Sequence, residues 1–416
     1  MIRLAFGSVP KDGGTYTFYR NMRPALLEHG IDMRCVAIGK AQAELWETAY
    51  VDTGCVLLAP NTRNLKKQAQ IFTDWCKTEQ IDIVMGINSE AILSALPHLP
   101  QRIRCMARCA NSFDHGYRIT LSGYERLTAI IAQTPRQFKD LSETYDAEPD
   151  KISIIPNGID PTPFQPCVDK RRSSVEDRKG LPLRLGFVGR LEHKQKGVLF
   201  LPRIIRELDK LNVPFTLRIA GKGRHETTLK AEIEKYAEGA PSSAINPQPS
   251  KIQFLGALPP SEIPDFLAET DIFLFPSQFE GCPNALLEAM MAGCLPIAWK
   301  LEGITDFIIE DGINGAIVPL GECAQFAARI AEFATNRKQL NRLQTAAAQQ
   351  TCERFCTKVA AKNYAEIIHS VMAQPAPEWQ PKPWSEFAGD PNFEHSWRDW
   401  IPQKLKTKLR SVLKTG

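Results

Sequence analysis

Short apolar segments alternate with helical segments along most of this chain of 416 residues. Strand-like segments in the first half occupy residues 2–6, 33–38, 81–87, 103–107 and 127–133. A second series of strand-like segments occupies residues 183–189, 215–220, 252–255, 272–275, 295–299 and 316–318. Helical patterns lie between them, and this alternation indicates a parallel sheet with helices on both faces. The sequence therefore predicts an α/β protein with two doubly wound, Rossmann-like domains.

Changes in composition place the domain boundaries. We expect a first domain over residues 1–165 and a second over 181–350, joined by a charged linker at 166–180 that holds few apolar residues. A helical segment at 351–373 is predicted to cross back to the first domain, and a tail at 374–416 follows. Two such domains leave a central cleft, which is the default site for a ligand.

Composition excludes several classes of function. A net charge of +4 is too small to indicate a nucleic-acid partner, and no segment approaches the ~18 apolar residues of a membrane span. The first residues lack the pattern of a secretory signal, and eleven scattered cysteines favour reduced thiols in the cytoplasm. Cys105 and Cys109 lack further ligands nearby in sequence, as do Cys352 and Cys356, so we predict no metal site and no cofactor.

The stretch from residue 271 to 293 concentrates unusual features. An apolar strand at 272–275 ends at Pro276, and Pro283 suits the first position of the next helix, where a missing N–H is tolerated. That helix is apolar nearly all round, which predicts that it is buried. Glu288 interrupts its apolar pattern, and Glu280 lies in the loop before it.

These two glutamates suggest a ligand site. A carboxylate in an apolar helix is unfavourable unless it has a partner, and helical side chains lean toward the N-terminus, so Glu288 would reach toward the loop. Backbone N–H groups at the helix start favour an anion. Carboxylates can accept hydrogen bonds from hydroxyl groups, and the helix start can bind phosphate. Together they would suit a phosphorylated sugar as the ligand. A structural Glu288 paired with Arg or Lys, together with an exposed Glu280, is an equal alternative.

Two cations follow the strand 183–189. Arg190 and Lys196 would hold a diphosphate if they converge, Arg as a fork and Lys as a point charge. Lys194 competes with Lys196 for this role, and both are also compatible with solvated loop residues. Gly221 and Gly223 would let the backbone approach a nucleotide, or would simply form a turn.

The first half has fewer candidates. Gly13 and Gly14 follow the first strand and would admit a phosphate or a sugar close to the backbone, although a turn alone also explains them. His115 follows the strand 103–107, at the edge of a parallel sheet where ligands bind. It would donate a hydrogen bond or carry a proton there, or it is an ordinary surface histidine.

The tail differs from the rest of the chain. It holds four of the seven Trp residues, and its last part, from Ile401 to Gly416, has apolar residues on one helical face and Lys or Arg on the other. This pattern is typical of an anchor at a membrane surface. A tail packed on the protein's own body is the alternative.

Four longer segments of the second half are distinctive: FVGRLEHKQKG, RIAGKGRHETTL, EDGINGAIVP and the stretch from IQFLGALPP through FEGCPNALLEAMMAG. Together they resemble one enzyme family, the retaining GT-B glycosyltransferases of family four, also called glycosyl transferases group 1. The first half matches more loosely, through GGTYTFYRNMRPALLEHG, the HG pair at His115 and IPNGID. The resemblance covers roughly residues 1–373 and leaves the tail unexplained.

The resemblance implies roles for individual residues. Arg190 and Lys196 would grip the diphosphate, Glu288 would bind the ribose hydroxyls and Glu280 would contact the donor sugar. His115 would hydrogen-bond the sugar near the reacting carbon. The remaining donor-binding positions implied are Gly14, Gly221, Gly281, Cys282, Pro283 and Asn284.

The activity implied by the resemblance is transfer of a sugar from a nucleotide-diphosphate donor, a UDP-sugar, to a saccharide or glycolipid acceptor with retention of configuration and without a metal. Such an enzyme would act in bacterial cell-surface glycan synthesis, in the cytoplasm or on the inner membrane. Two alternatives stay open: a UDP-sugar epimerase on the same architecture, and a non-catalytic sugar-binding relative.

Overall fold

A computed structural model describes residues 1–8, 14–165, 167–168, 181–239 and 251–393. The described residues form two compact units. The first contains the described residues of 1–133 and 137–158 together with residues 360–393, and the second contains those of 134–136 and 159–359. Each unit is built on its own parallel sheet. The predicted α/β class with two Rossmann-like domains is therefore confirmed.

Seven strands of the described part of the first unit form one parallel sheet in the order β3-β2-β1-β4-β5-β6-β7. They are β1 Ile2–Gly7, β2 Ile31–Ile38, β3 Val56–Leu58, β4 Ile83–Gly86, β5 Arg104–Arg108, β6 Leu127–Ala132 and β7 Ile152–Ile154. Every residue of β4 and β5 is buried, because helices cover both faces. The two edge strands β3 and β7 were not predicted, because three residues are too few to show a pattern.

Helices follow most of these strands. Those of the first unit include Gly14–Glu28, Lys40–Ala43, Ala49–Asp52, Leu65–Thr78, Glu90–Ala95 and Asp114–Thr120. The helix Pro135–Lys139 comes next along the chain. The helix Thr357–Ala373 contributes Tyr364, which packs its ring 5.4 Å from the ring of Phe18.

The sheet of the second unit determines where its site lies. Its described strands are β8 Leu183–Val188, β9 Phe215–Ala220, β10 Ile252–Gly256, β11 Ile272–Phe275, β12 Leu295–Trp299 and β13 Ala316–Val318. Their order is β10-β9-β8-β11-β12-β13, so β8 and β11 are neighbours although two strands separate them in sequence. The chain continues outward in opposite directions from this pair. Ligands of open α/β sheets bind at the carboxyl ends of the strands at such a switch point.

Helices of the second unit cover this sheet. They are His193–Lys196, Leu201–Lys210, Glu226–Gly239, Ile263–Ala268, Asn284–Met291, Thr305–Ile308, Cys323–Thr335 and Arg337–Phe355. Asn284–Met291 packs against Arg337–Phe355 and buries most of its apolar side chains, as its composition predicted. It begins one residue later than predicted. Pro283 is its N-cap, with non-helical ψ of 89°, and the Pro283 carbonyl accepts the N–H of Leu286 at 3.0 Å.

The boundaries of the units differ from the predicted ones. The first unit ends at residue 158 instead of 165, and the segment 351–373 is divided, since residues up to 359 belong to the second unit. A single helix was expected there, but it breaks at Cys356, whose ψ of 157° is extended. The reason is a backbone pairing: Ile159 donates its N–H to the Phe355 carbonyl at 2.9 Å, and Thr357 donates to the Ile159 carbonyl at 2.9 Å.

The described part of the tail packs on the first unit. The Trp384 ring stacks on His98 with 4.2 Å between ring centroids, and the Trp379 indole N–H donates to the Pro97 carbonyl at 3.3 Å. His98 Nδ1 also lies 2.7 Å from the Lys382 carbonyl oxygen. For residues 374–393, packing on the protein's own body is thus observed, whereas the predicted amphipathic segment 401–416 lies outside the described residues. Within the described ranges, no helix is long and apolar enough to span a membrane.

Gly197 brings together the loops that follow β8 and β11. Its φ of +63° is left-handed, and a Cβ at this position would overlap the carbonyl oxygen of Pro276. Gly312 has a similar φ of +75°, but a Cβ there would meet nothing within 4 Å. A side chain at either position would meet the same unfavourable left-handed backbone, but only at Gly197 would it also collide with a neighbouring loop.

We expect Gly197→Ala to lower the free energy of unfolding by about 3 kcal/mol, because the new methyl group would force the two loops apart. Gly312→Ala should cost only about 1 kcal/mol from the left-handed backbone. Urea denaturation monitored by tryptophan fluorescence would measure both values. Equal losses in the two variants would show that the loops tolerate separation at this point.

Candidate functional site

The loop 190–197 follows β8 and carries the predicted cations. Its short helix, His193–Lys196, begins where Glu192 accepts hydrogen bonds from the backbone N–H groups of Lys194 at 3.0 Å and Gln195 at 3.1 Å. A side-chain oxygen in this position caps the helix start. The loop packs against the loop that follows β11, where Gln278 donates its backbone N–H to the Gln195 carbonyl at 2.7 Å.

An ion pair joins these two loops. Lys196 Nζ lies 2.6 Å from Glu280 Oε1, and only 5% of Glu280 is exposed. The alternative of an exposed Glu280 does not hold. Lys194, the competing candidate, has an exposed side chain. The structure therefore brings Lys196 together with Glu280 and leaves Lys194 at the surface.

Arg190 joins the same group of residues through Gln195. The Arg190 guanidinium donates through Nη2 to Gln195 Oε1 at 2.6 Å, and Gln195 Nε2 donates to Glu280 Oε2 at 3.4 Å. Arg190, Gln195, Glu280 and Lys196 thus form one connected network, in which a buried carboxylate contacts both a cation and an amide. Gln195 was not predicted from the sequence, because a neutral side chain in a polar loop carries no distinctive pattern.

The glycines after β9 let a third loop approach. A Cβ on Gly221 would overlap the Gly189 carbonyl oxygen, and a Cβ on Gly223 would collide with the Leu191 carbonyl. The Leu191 N–H donates to the Lys222 carbonyl at 3.0 Å across this contact. Close packing of two backbones therefore explains both glycines, and a contact between Gly221 and a nucleotide stays a prediction.

Glu288 has a different environment from Glu280. It lies on the helix Asn284–Met291 and keeps partial access to solvent, yet the surrounding protein removes most of its hydration. Burial raises the pKa of its carboxyl from 4.5 to about 7. Among the described side chains, none donates a hydrogen bond or an ion pair to this carboxylate, so the predicted alternative of a paired structural Glu288 finds no support. Donors from a bound molecule would satisfy it.

The residues between the two glutamates form the start of that helix. Pro283 is buried, whereas Gly281, Cys282 and Asn284 are partly exposed. The backbone N–H groups at the start of a helix carry partial positive charge. This segment therefore presents polar backbone between the Glu280 loop and Glu288.

The other two predicted site residues belong to the first unit. Gly14 is the first residue of the helix Gly14–Glu28 and is exposed, while Gly13 lies outside the described residues. His115 is exposed on the helix Asp114–Thr120, with its ring 6.3 Å from the ring of Phe393. Their predicted places beside a donor stay predictions. In the described ranges, no group of three or more His, Cys, Asp or Glu is arranged to hold a metal ion.

One known protein family matches a segment of the second unit. Residues 182–336 match the family Glycosyl transferases group 1. This segment of the chain is therefore similar to the glycosyl transferases group 1 family. The matched segment contains Arg190, Lys196, Glu280 and Glu288, which the sequence analysis selected, and also Gln195.

Individual relatives agree with this family. The chain is 30% identical over 230 residues to the glycosyltransferase WcaL of Salmonella typhimurium, which is assigned by name to colanic acid biosynthesis. The aligned residues cover 54% of this chain and 52% of WcaL. It is 29% identical over 225 residues to the amylovoran biosynthesis glycosyltransferase AmsK of Erwinia amylovora, covering 53% of this chain and 51% of AmsK. The chain thus spans about half the length of the curated relatives it matches.

A solved structure extends the likeness to both units. The Anabaena protein Alr3699/HepE, crystallised in complex with UDP, superposes with a TM-score of 0.69 at 18% identity, over 89% of this chain and 100% of that protein. At this identity the likeness concerns the fold. The chain therefore has the GT-B fold with two Rossmann-like domains, as the sequence predicted.

The raised pKa of Glu288 predicts how stability depends on pH. Between pH 4.5 and about 7, Glu288 ionises in the unfolded chain but stays protonated in the folded one, so the folded state loses stability as pH rises through this window. We expect Glu288→Gln to remove this loss and to raise the free energy of unfolding at pH 8 by about 2–3 kcal/mol. Denaturation curves from pH 4.5 to pH 8 would measure it.

The matched control is Glu234→Gln, which changes an exposed helical glutamate. Its pH profile should follow that of the wild type. If Glu288→Gln also followed the wild type, the Glu288 carboxyl would titrate normally in the folded protein.

Proposed function

We propose that this protein is a retaining glycosyltransferase that moves a sugar from a nucleotide-diphosphate donor, a UDP-sugar, to a saccharide or lipid-linked acceptor of a bacterial cell-surface glycan. The observation that carries the proposal is the ion pair of Lys196 and Glu280 at the switch point. Glu288 follows Glu280 by eight residues, and its carboxylate has no donor among the described side chains. This arrangement supplies cations for a diphosphate and carboxylates for hydroxyl groups.

The proposed role of the cations follows from the charge that develops in the reaction. As the bond between the sugar and the diphosphate breaks, the sugar gains positive character and the nucleotide leaves with negative charge. Arg190 and Lys196, fixed before the reaction, would stabilise that negative charge. Because Glu280 holds Lys196 at 2.6 Å, little reorganisation of Lys196 would be required.

The two carboxylates would bind the donor without forming a bond to it. Glu280 would accept hydrogen bonds from hydroxyl groups of the donor sugar, and Glu288 would accept hydrogen bonds from the ribose hydroxyls. Hydroxyl donors favour the charged form of a carboxylate, so donor binding would offset the burial that raises the pKa of Glu288. Retention would result from attack on the face from which the diphosphate leaves, with a phosphate oxygen helping to remove the acceptor's proton.

Relatives support the biological setting. WcaL and AmsK are assigned by name to colanic acid and amylovoran biosynthesis, and Alr3699/HepE was crystallised with UDP. These statements concern those proteins, and they favour a UDP-sugar donor and a polysaccharide or glycolipid product for this one. A UDP-sugar donor also favours a cytoplasmic enzyme.

The two nearby lysines provide a test of the proposed function. Purified protein would be assayed with UDP-sugars and saccharide or lipid-linked acceptors, and product configuration would be read by NMR. We expect Lys196→Ala to lower kcat about 100-fold or more, because the leaving diphosphate loses a fixed cation. Lys194→Ala, at an exposed position two residues away, should change kcat less than about threefold.

Other outcomes would favour the alternatives. Isomerisation of a UDP-sugar without an acceptor would indicate an epimerase. Absence of turnover with every donor, together with unchanged sugar binding in Lys196→Ala, would indicate a non-catalytic relative. An inverted product would contradict retention while leaving glycosyl transfer intact.

We also propose that residues 401–416 bind the inner membrane surface, near the site of a lipid-linked acceptor. Support comes from their basic amphipathic pattern and from the preceding segment, which packs on the first unit up to Phe393, beside His115. Full-length protein should sediment with vesicles that contain phosphatidylglycerol, and a chain shortened to residue 400 should lose most of this binding. Vesicles of phosphatidylcholine alone serve as the control, and undiminished sedimentation of the shortened chain would contradict the proposal.

A further inference from the structure

We infer that Gln195 is a positioning residue, which holds the Arg190 guanidinium in place for the departing diphosphate. The reaction in this inference rests on the proposed function, whereas the contact is present in the protein alone. Gln195 Oε1 accepts from Arg190 Nη2 at 2.6 Å, while Gln195 Nε2 donates to Glu280 Oε2 at 3.4 Å. The side chain of Gln195 therefore connects Arg190 to the buried ion pair of Lys196 and Glu280.

Arg190 depends on this contact because little else restrains it. The residue is exposed, and its long side chain would otherwise sample many rotamers. Among the described residues, Gln195 provides the side-chain acceptor for its guanidinium. A guanidinium has five N–H donors, so one bond to Gln195 orients the group and leaves other donors for a phosphate.

The neutral charge of Gln195 matters as much as its position. A carboxylate there would orient Arg190 equally well, but it would neutralise the charge needed by a diphosphate and would repel Glu280. The amide avoids both effects. Its orientation is also determined, because only the amide oxygen can accept from Arg190 and only the amide nitrogen can donate to Glu280.

The backbone of Gln195 is held by bonds that do not involve its side chain. Its N–H donates to Glu192 at 3.1 Å, and its carbonyl accepts the Gln278 N–H at 2.7 Å. Truncating the side chain should therefore leave the loop folded. Gln278 supplies a matched control, because its own side-chain amide donates to two backbone carbonyls of the same loop, that of His193 at 2.6 Å and that of Lys194 at 3.4 Å.

The first experiment needs no substrate. In protein labelled with 15N-arginine, the Nε–H signal of Arg190, assigned by its loss in Arg190→Lys, would report how ordered the guanidinium is. We expect this signal to become mobile in Gln195→Ala and to keep its wild-type order in Gln195→Glu and in Gln278→Ala. An equally ordered Arg190 in Gln195→Ala would overturn the inference.

A double-mutant cycle then links the contact to turnover. We expect Gln195→Ala to lower kcat about tenfold with a smaller change in the donor KM, and to have almost no further effect when Arg190 is already alanine. Gln195→Glu should lower kcat although Arg190 stays ordered, because the added charge neutralises it. Two results would overturn the inference: losses of kcat from Gln195→Ala and Arg190→Ala that multiply in the double variant, or a fully active Gln195→Glu.

The two experiments separate this inference from the proposed function. A protein without transferase activity whose Arg190 becomes mobile in Gln195→Ala would contradict the function and support the positioning contact. A working transferase in which Gln195→Ala behaves like Gln278→Ala would support the function and contradict the positioning role.

Discussion

The pairing of β8 with β11 in the second sheet is the constraint on which the site depends. These two strands register in parallel through Ile272 with Leu185 and Phe273 with Gly186, so their carboxyl ends reach the same edge. Lys196 and Glu280 are 84 residues apart in sequence, yet their side chains meet there at 2.6 Å. Gly197 then allows the two loops to approach closely, since any side chain at this position would overlap the Pro276 carbonyl.

Environment separates two carboxylates that look alike in sequence. Glu280 is buried against a lysine and an amide, so its charge is compensated within the protein. Glu288 has lost hydration without gaining a donor from the described side chains, and its pKa rises to about 7. Pairs of acidic groups with such different surroundings commonly perform different tasks. Here the difference favours a fixed partner of the cation for Glu280 and a group that awaits hydroxyl donors for Glu288.

Much of the fold was predictable because buried parallel strands have a simple signature. The strands 215–220, 272–275, 295–299 and 316–318 were predicted with the boundaries that the structure shows. Three of them are short apolar runs, and 215–220 alternates buried apolar residues with Thr216 and Arg218. The edge strand β3 was missed because its three residues are only half-buried. The break at Cys356 was also missed, because a pairing with distant Ile159, not a local breaker, interrupts the helix.

The sequence by itself determined the α/β class, the strand and helix series, and the candidates Arg190, Lys196, Glu280 and Glu288, because burial and charge leave periodic or isolated marks along the chain. Only the tertiary structure decided which of Lys196 and Lys194 meets Glu280, showed that Glu288 lacks a partner among the described side chains, and revealed Gln195. Those answers depend on which loops meet across the β8–β11 edge and on the angle at which a capped turn presents each side chain. Such relations join residues far apart in sequence, and no local pattern encodes them.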